Sequence, residues 1–198
     1  IDMASSPKSM NVESYIFDQL KLRLVILSDT HGYLDENIAV LIRTADVAIH
    51  AGDVMDVSVL EQMQPALQTI AVAGNNDEQG LWSSRENCFT KKLPESVLVK
   101  LPGGTIAIEH GHRFGFSQPD HQQLIAAYPK ARAIVYGHTH KQLVDQSLTP
   151  WVLNPGAAGV VRNQGGPRCL VLKTNGDQWK VEANIFPQPV VDMASRRH

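Results

Sequence analysis

The sequence predicts an α/β fold in which two β-sheets pack face to face, with helices on both outer sides, in a four-layer α/β/β/α arrangement. Apolar runs rich in β-branched residues alternate with helix-like stretches up to about residue 140, and short strand-like runs without helices follow. The chain has 198 residues, enough for one substantial core. We expect one domain over residues 21–187. Residues 1–20 would hold a tail or vector-derived remnant together with the start of the domain, and residues 188–198 a C-terminal tail.

Five apolar runs predict buried strands, and each leads directly into a polar segment. The runs cover residues 22–27, 47–49, 69–73, 105–108 and 133–136. Helical spacing of apolar residues predicts helices over 35–43, 56–63 and 119–128, and later strands are expected over 151–153, 169–172 and 179–185.

The polar segments after the five runs carry residues that bind metals. Ligands collect at the carboxyl ends of strands in open α/β sheets, so we expect these side chains to meet in one site. The candidate ligands are Asp29, His31, Asp53, Asn75, His110, His138 and His140.

Seven donors are too many for one ion and suit two ions that share a carboxylate. Asp53 is the expected bridge, because it stands alone after its strand and both its oxygens can face different ions. Imidazole and carboxylate donors without thiolate favour Mn, with Fe, Ni, Co, Zn or Mg as alternatives. Two such ions can hold a hydroxide for in-line attack on a phosphoryl group. The predicted activity is therefore hydrolysis of small phosphate esters.

The ordered motifs resemble those of the calcineurin-like metallophosphoesterase superfamily, in its small bacterial and archaeal phosphodiesterase branch. They are Asp29-x-His31, Gly52-Asp53, Gly74-Asn75, His110-Gly111-His112 and Gly137-His138-x-His140, with an Asn154-Pro155-Gly156 turn afterwards. The resemblance implies that one ion takes Asp29, His31, Asp53 and His140, and that the other takes Asp53, Asn75, His110 and His138.

One position departs from that family pattern. Many members have a histidine directly after the metal-binding asparagine, and this chain has Asn76. An amide can donate a hydrogen bond to phosphate but cannot deliver a proton at neutral pH. We therefore expect Asn76 to bind substrate, with slow turnover and a preference for activated esters such as aryl diesters. His112 would contact either the substrate or a metal ligand.

Several further residues are open to two interpretations. His50 is expected to orient Asp53 or to fill the space beneath it rather than to bind metal, and His121 is expected to lie on the surface. Arg162 and Arg168 are surface charges or contacts to a second phosphate. Trp82 is expected to lie at the rim of the site and to help select substrates.

Two other functions remain open. One is hydrolysis of dinucleoside polyphosphates or of phosphoproteins, which related families perform. The other is a non-catalytic or weakly catalytic protein-binding scaffold of the same fold, as in the similar retromer subunit of eukaryotes. A scaffold is expected to lose metal ligands, whereas this chain has all seven.

Composition limits the partners. The formal net charge is −2, and the sequence shows no basic stripe of the kind that a dedicated nucleic-acid surface requires. No apolar run approaches the roughly 18 residues of a membrane span, and residues 1–10 lack a signal-peptide apolar core. The two cysteines do not suggest a disulfide framework, so we expect a cytoplasmic protein. Homo-oligomerisation stays open.

Overall fold

Strands dominate the fold. The structure is a computed structural model and describes residues 12–190, so the parts of the predicted tails at 1–11 and 191–198 lie outside the described residues. The strands are β1 Glu13–Ile16, β2 Lys21–Leu27, β3 Val47–His50, β4 Gln68–Ala71, β5 Leu81–Ser83, β6 Cys88–Lys91, β7 Ser96–Leu101, β8 Gly104–Glu109, β9 Ala133–Val135, β10 Leu143–Asp145, β11 Trp151–Asn154, β12 Arg168–Asn175 and β13 Gln178–Ile185. The helices are α1 Glu36–Arg43, α2 Val57–Gln62 and α3 His121–Ala127.

The strands form two large sheets and one small ribbon. One sheet has the order β1-β7-β8-β9-β11-β10, the other has the order β13-β12-β2-β3-β4, and β5 pairs with β6. In the second sheet β2, β3 and β4 run parallel, and in the first β8, β9 and β11 run parallel. The five predicted strands that lead to polar segments are therefore divided between two sheets, three in one and two in the other.

The two sheets pack face to face. Alternate residues of β2 and β3, such as Leu24, Ile26 and Ile49, share one buried cluster with Val97 and Ile106 of the other sheet. The intervening residues of each strand point outward, as the two-residue period of a strand requires. Both faces of each central strand are buried, which explains the continuous apolar runs in the sequence.

Helices cover the outer faces. Val25 and Leu27 pack in a cluster with Ile38 and Ile42 of α1, while Leu124 of α3 packs in a separate cluster that includes Ala107 and Ile134 of the other sheet. The four-layer α/β/β/α prediction is confirmed.

Each helix begins at an aspartate whose side chain accepts backbone N–H groups. Asp35, Asp56 and Asp120 occupy these N-cap positions and satisfy donors that the first helical turn leaves free. All three helices lie inside the predicted ranges. None of the helices among residues 12–190 combines the length and apolarity needed to cross a membrane.

The sequence does not predict five of the strands. They are β1, β5, β6, β7 and β10. β6 is exposed along its whole length, and β1 and β10 are partly exposed edge strands of three or four residues, so they carry little apolar pattern. β1 lies within residues 1–20 and pairs in parallel with β7, so part of that segment belongs to the first sheet. The predicted bounds of a single domain stay a prediction.

The position of Ile106 between the sheets predicts a large stability cost for its truncation. Ile106 is 0% exposed, whereas Ile16 on the edge strand β1 is 67% exposed. We expect Ile106→Ala to lower the free energy of unfolding by about 2–5 kcal/mol, since it loses buried apolar contacts and leaves a cavity. The matched change Ile16→Ala should cost less than about 1 kcal/mol. Urea denaturation followed by circular dichroism measures both, and equal losses would contradict the assignment of the core.

Candidate metal centre

The predicted ligands lie in the loops that follow β2, β3, β4, β8 and β9. Five of the seven have a left-handed backbone: Asp29, His31, Asp53, His138 and His140 have φ angles between 46° and 65°. This region is uncommon for residues other than glycine, and such strain concentrates at functional sites, where the surroundings hold the backbone in place. The surrounding sheets thus fix these side chains in defined directions.

One group of possible ligands contains Asp29, His31 and His140. A carboxylate oxygen or ring nitrogen from each lies within 4.8 Å of the others. The Asp29 Oδ1 atom is 3.3 Å from His140 Nε2, and the two histidine Nε2 atoms are also 3.3 Å apart. Two ring nitrogens and a carboxylate oxygen that face a common point can share one cation.

A second group contains Asp29, Asp53 and His110. The Asp53 carboxylate lies between the groups: its Oδ1 is 3.5 Å from His110 Nε2, and its Oδ2 is 3.5 Å from His31 Nε2. Asp29 Oδ1 also faces His110 Nε2, at 3.9 Å. Each oxygen of Asp53 therefore serves a different histidine, as expected of a bridging ligand.

Asn75 and His138 contact each other next to the second group. Asn75 Oδ1 is 3.2 Å from His138 Nδ1, and the other ring nitrogen of His138 contacts the Phe116 carbonyl oxygen. A carbonyl oxygen can only accept, so His138 Nε2 carries the ring proton and Nδ1 carries a lone pair. That lone pair faces Asn75 Oδ1, which is also an acceptor. A cation bound between the two atoms would stabilise this arrangement. The His138 ring lies 5.2 Å from the His110 ring, and its backbone N–H donates to Asp29 Oδ2. All seven predicted ligands are thus joined by contacts.

Two backbone carbonyls fix the orientation of two buried histidines among the predicted ligands. His110 Nδ1 donates to the Ala51 oxygen and His140 Nδ1 to the Val161 oxygen, each over 2.8 Å. In the neutral rings the lone pair is then on Nε2, directed toward the carboxylates. His110 Nε2 and Asp29 Oδ1 are buried and have no hydrogen-bond partner among residues 12–190. Buried atoms without partners are costly, so the donor set fits a metal ion that would satisfy them.

The charge states of the buried carboxylates and histidine also favour binding of a cation. Burial alone would raise the pKa of Asp29 and of Asp53, but contacts with His140 and His110 and further hydrogen bonds outweigh it and lower both. Burial likewise opposes the charge on His110, yet the Asp53 contact and the charges of Asp29 and Asp53 raise its pKa to about 9. The negative field that favours a proton there would equally favour a metal ion.

Two glycines allow the backbone to approach the carboxylates. A Cβ atom on Gly74 would lie 2.1 Å from Asp53 Oδ1, and one on Gly137 would lie 2.8 Å from Asp29 Oδ2. Neither distance is sterically allowed. The glycines in the Gly74-Asn75 and Gly137-His138 motifs are therefore required by close packing.

Asp77 supports the site, and the sequence analysis does not identify it. Its carboxylate accepts the backbone N–H groups of Val54, Met55 and Gly74, which ties the loop after β3 to the loop after β4. The sequence does carry a signal, because Asp77 follows the predicted ligand Asn75 by two positions in a polar segment after a buried strand.

Ser28 and Asn154 also support the ligands. Ser28 Oγ donates to Asp29 Oδ2 over 2.6 Å, and the Asn154 amide donates to the Gly137 oxygen and to Thr139 Oγ1. Asn154 belongs to the Asn154-Pro155-Gly156 turn. This turn is among the motifs of the family resemblance, but the resemblance assigns no role to it.

His50 lies beneath the loop of Asp53. Its Nδ1 accepts the Gly52 N–H, so its proton is on Nε2 and is donated to Thr30 Oγ1 over 2.9 Å. Burial lowers the pKa of His50 to about 3, so the ring is neutral. His50 supports the loop through the backbone and does not contact the side chain of Asp53.

Asn76 contacts the Asp53 carboxylate. Its backbone N–H donates to Asp53 Oδ1 and its side-chain Nδ2 to Asp53 Oδ2, over 3.0 and 2.8 Å. It also lines a cavity of about 280 Å³ over the site. The half-buried His112 lies beside His110 and His138, with ring-centroid distances of 5.5 and 6.1 Å.

Of the four remaining candidate residues, one lines the cavity and three lie outside it. Arg162 lines the cavity, and its Nη2 lies 3.4 Å from His140 Nε2. Arg168 instead donates to loop carbonyls outside the cavity. Trp82 packs on Phe89 in the β5–β6 ribbon and is not among the residues that line the cavity. His121 is half-buried and lies 2.9 Å from the Tyr136 hydroxyl.

The three backbone hydrogen bonds to Asp77 predict that its carboxylate is needed for stability. Asp77→Asn replaces one acceptor oxygen by an NH₂ group that faces N–H donors. We expect the free energy of unfolding to fall by about 2–3 kcal/mol, because buried donors lose their acceptor. Asp18→Asn, on an exposed residue, is the control and should change it by less than about 0.5 kcal/mol. An unaltered urea midpoint for Asp77→Asn would refute this role.

Comparisons with known proteins identify the family of the chain. Residues 22–177 match the calcineurin-like phosphoesterase superfamily domain. A probable metallophosphoesterase from Methanothermobacter thermautotrophicus is 23% identical over 166 residues, which cover 81% of this chain and 90% of the relative. A phosphodiesterase from Methanocaldococcus jannaschii is 26% identical over 160 residues, which cover 68% and 83%. Among solved structures, a single mutant of Vps29 from Entamoeba histolytica has the same fold, with a TM-score of 0.65 at 17% identity over 83% of this chain and 99% of that one. The chain belongs to the calcineurin-like phosphoesterase superfamily.

Proposed function

We propose that this phosphoesterase-family protein is a phosphodiesterase that works with two divalent metal ions. The observation that carries the proposal is the position of Asp53, whose two carboxylate oxygens face His31 and His110 at equal distances of 3.5 Å. A carboxylate shared between two imidazole-containing groups is the arrangement that a two-metal site uses.

The first ion would be held by Asp29, His31, Asp53 and His140. The second would be held by Asp53, Asn75, His110 and His138, with Asp29 Oδ1 near enough to His110 to assist. When bound, such ions lower the pKa of water and neutralise charge on a phosphoryl group. Mn²⁺ is the proposed ion, because the donors are imidazoles, carboxylates and an amide without thiolate.

Side chains and backbone groups around the predicted ligands preorganise the site for substrate binding. The lowered pKa values of Asp29 and Asp53 keep both carboxylates ionised, and the carbonyls of Ala51 and Val161 hold two histidines in one orientation. Asn76 holds the Asp53 carboxylate from the cavity side through two hydrogen bonds. A site whose dipoles are already oriented needs little reorganisation during the reaction.

The cavity suits a singly charged diester better than a polyphosphate. Among the described residues that line it, Arg162 is the one arginine or lysine. A dinucleoside polyphosphate would need more cations for its additional phosphates. The M. jannaschii relative named a phosphodiesterase supports the same choice.

The scaffold function is the second candidate, because a Vps29 structure shares the fold. The contacts among all seven ligands favour catalysis over it. We also propose a cytoplasmic location: Cys88 is exposed and Cys169 is buried, and the two are not paired, which suits a reducing compartment. No nucleic-acid surface is proposed, and self-association stays a prediction.

The shared carboxylate predicts coupled losses of metal and activity. We expect the protein, dialysed after loading with Mn²⁺, to keep two equivalents and to hydrolyse bis(p-nitrophenyl) phosphate. Asp53→Asn should lower the content to one equivalent or less and kcat/KM by at least about 100-fold, since it removes a ligand of both ions. Asp177→Asn, in the exposed turn after β12, should change neither. Elemental analysis and a chromogenic assay measure the two quantities.

The outcomes separate the candidate functions. Two equivalents of Mn²⁺ without hydrolysis of any phosphate ester would favour the scaffold. Loss of all metal on dialysis by the unaltered protein would contradict the two-ion proposal itself.

The amide at Asn76 predicts that the rate of hydrolysis depends on the leaving group of the ester. Asn76→His would supply a group that can deliver a proton, so we expect the rate with alkyl esters to rise about tenfold or more relative to aryl esters. Asn76→Ala, which removes the amide without adding a proton donor, is the control and should not raise that ratio. Kinetics with a series of diesters of graded leaving-group pKa measures the effect, and an unchanged slope for Asn76→His would contradict it.

A further inference from the structure

We propose that the site selects phosphodiesters in which one ester group is aromatic, and that this group packs on Phe116 while Arg162 binds the phosphate anion. The inference deepens the proposed function and rests on it. The juxtaposition that carries it is an exposed phenyl ring and an arginine lining the same cavity, each beside a different predicted metal ligand.

Phe116 presents a large apolar surface to solvent at the site. Its side chain is 72% exposed, and it lines the cavity together with Asn75, Asn76 and His138. An exposed aromatic ring within a polar cavity leaves its apolar face available for a ligand.

Phe116 contacts a predicted metal ligand through both its backbone and its ring. The Phe116 carbonyl oxygen accepts from His138 Nε2, and the two rings meet edge to face with centroids 5.2 Å apart. Gly115 permits the conformation of this loop, because its φ is 136° and a Cβ there would lie 2.4 Å from the Gln118 oxygen. The loop that carries Phe116 is thus joined to a predicted metal ligand, and the phenyl ring lies next to the ring of that ligand.

Arg162 supplies the positive charge. It is exposed, and its Nη2 lies 3.4 Å from His140 Nε2, beside the first group of ligands. The guanidinium can form two parallel hydrogen bonds to phosphate oxygens. One arginine and one phenyl ring together match a monoanion with an aromatic substituent, such as an aryl ester or a nucleoside ester.

Binding of inert phosphinates tests the inference without hydrolysis. Methyl(phenyl)phosphinate and dimethylphosphinate are both monoanions with the phosphoryl geometry of a diester, and they differ in one group. Calorimetry on the Mn²⁺-loaded protein should show the phenyl compound bound roughly tenfold more tightly, as expected for one aromatic contact plus apolar burial.

Two variants should separate the two contacts. Phe116→Ala should bring the two affinities within about twofold of each other, by weakening only the phenyl compound. Arg162→Gln should weaken both compounds by a similar factor, about tenfold. Phe89→Ala is the matched control, since Phe89 is 51% exposed on β6 and lies against Trp82 away from the cavity.

The results distinguish this inference from the proposed function. Equal affinities of the unaltered protein for the two phosphinates, or a phenyl preference that persists in Phe116→Ala, would overturn the inference even if diesters are hydrolysed. A phenyl preference that depends on Phe116 in a protein without hydrolytic activity would support the aromatic contact and overturn the catalytic proposal.

Discussion

The interaction on which the site depends is the contact of one buried carboxylate with two histidines. Asp53 turns one oxygen to His31 and the other to His110, and Asn76 donates to both oxygens. An unpaired charge at this depth would be expensive. Its surroundings are therefore tightly packed, including Gly74, where no side chain fits.

The sheets stabilise a strained arrangement of loops. Left-handed conformations at five predicted ligands cost free energy, and the core between the sheets offsets it, because the buried strands β2, β3 and β9 end where these loops begin. Asp77 and Asn154 then satisfy the backbone groups that the irregular loops leave free. Hydrogen bonds from these buried side chains thus hold the loop backbone to the strands from which the loops start.

The predicted ligands and the residues proposed to select the substrate differ in position. Each predicted ligand lies within five residues of a strand end, whereas Phe116 and Arg162 lie farther along their loops and are exposed. Substitutions at such exposed positions can alter the cavity without disturbing the buried carboxylates. A division of this kind would let one metal centre serve different substrates within a fold.

The sequence by itself determined the four layers, all three helices and the seven candidate ligands, because apolar period and strand-end motifs are local properties. It did not show β1, β5, β6, β7 or β10, of which β1, β6 and β10 are short and exposed or partly exposed and therefore carry little apolar pattern. Only the tertiary structure showed that the ligand loops come from two sheets, that Asp29 faces both groups, and that Asn76 holds Asp53. It also placed Arg162 in the cavity and Arg168 outside it, although both flank the same glycine-rich turn. Such distinctions depend on side-chain direction and long-range packing, which no local pattern records.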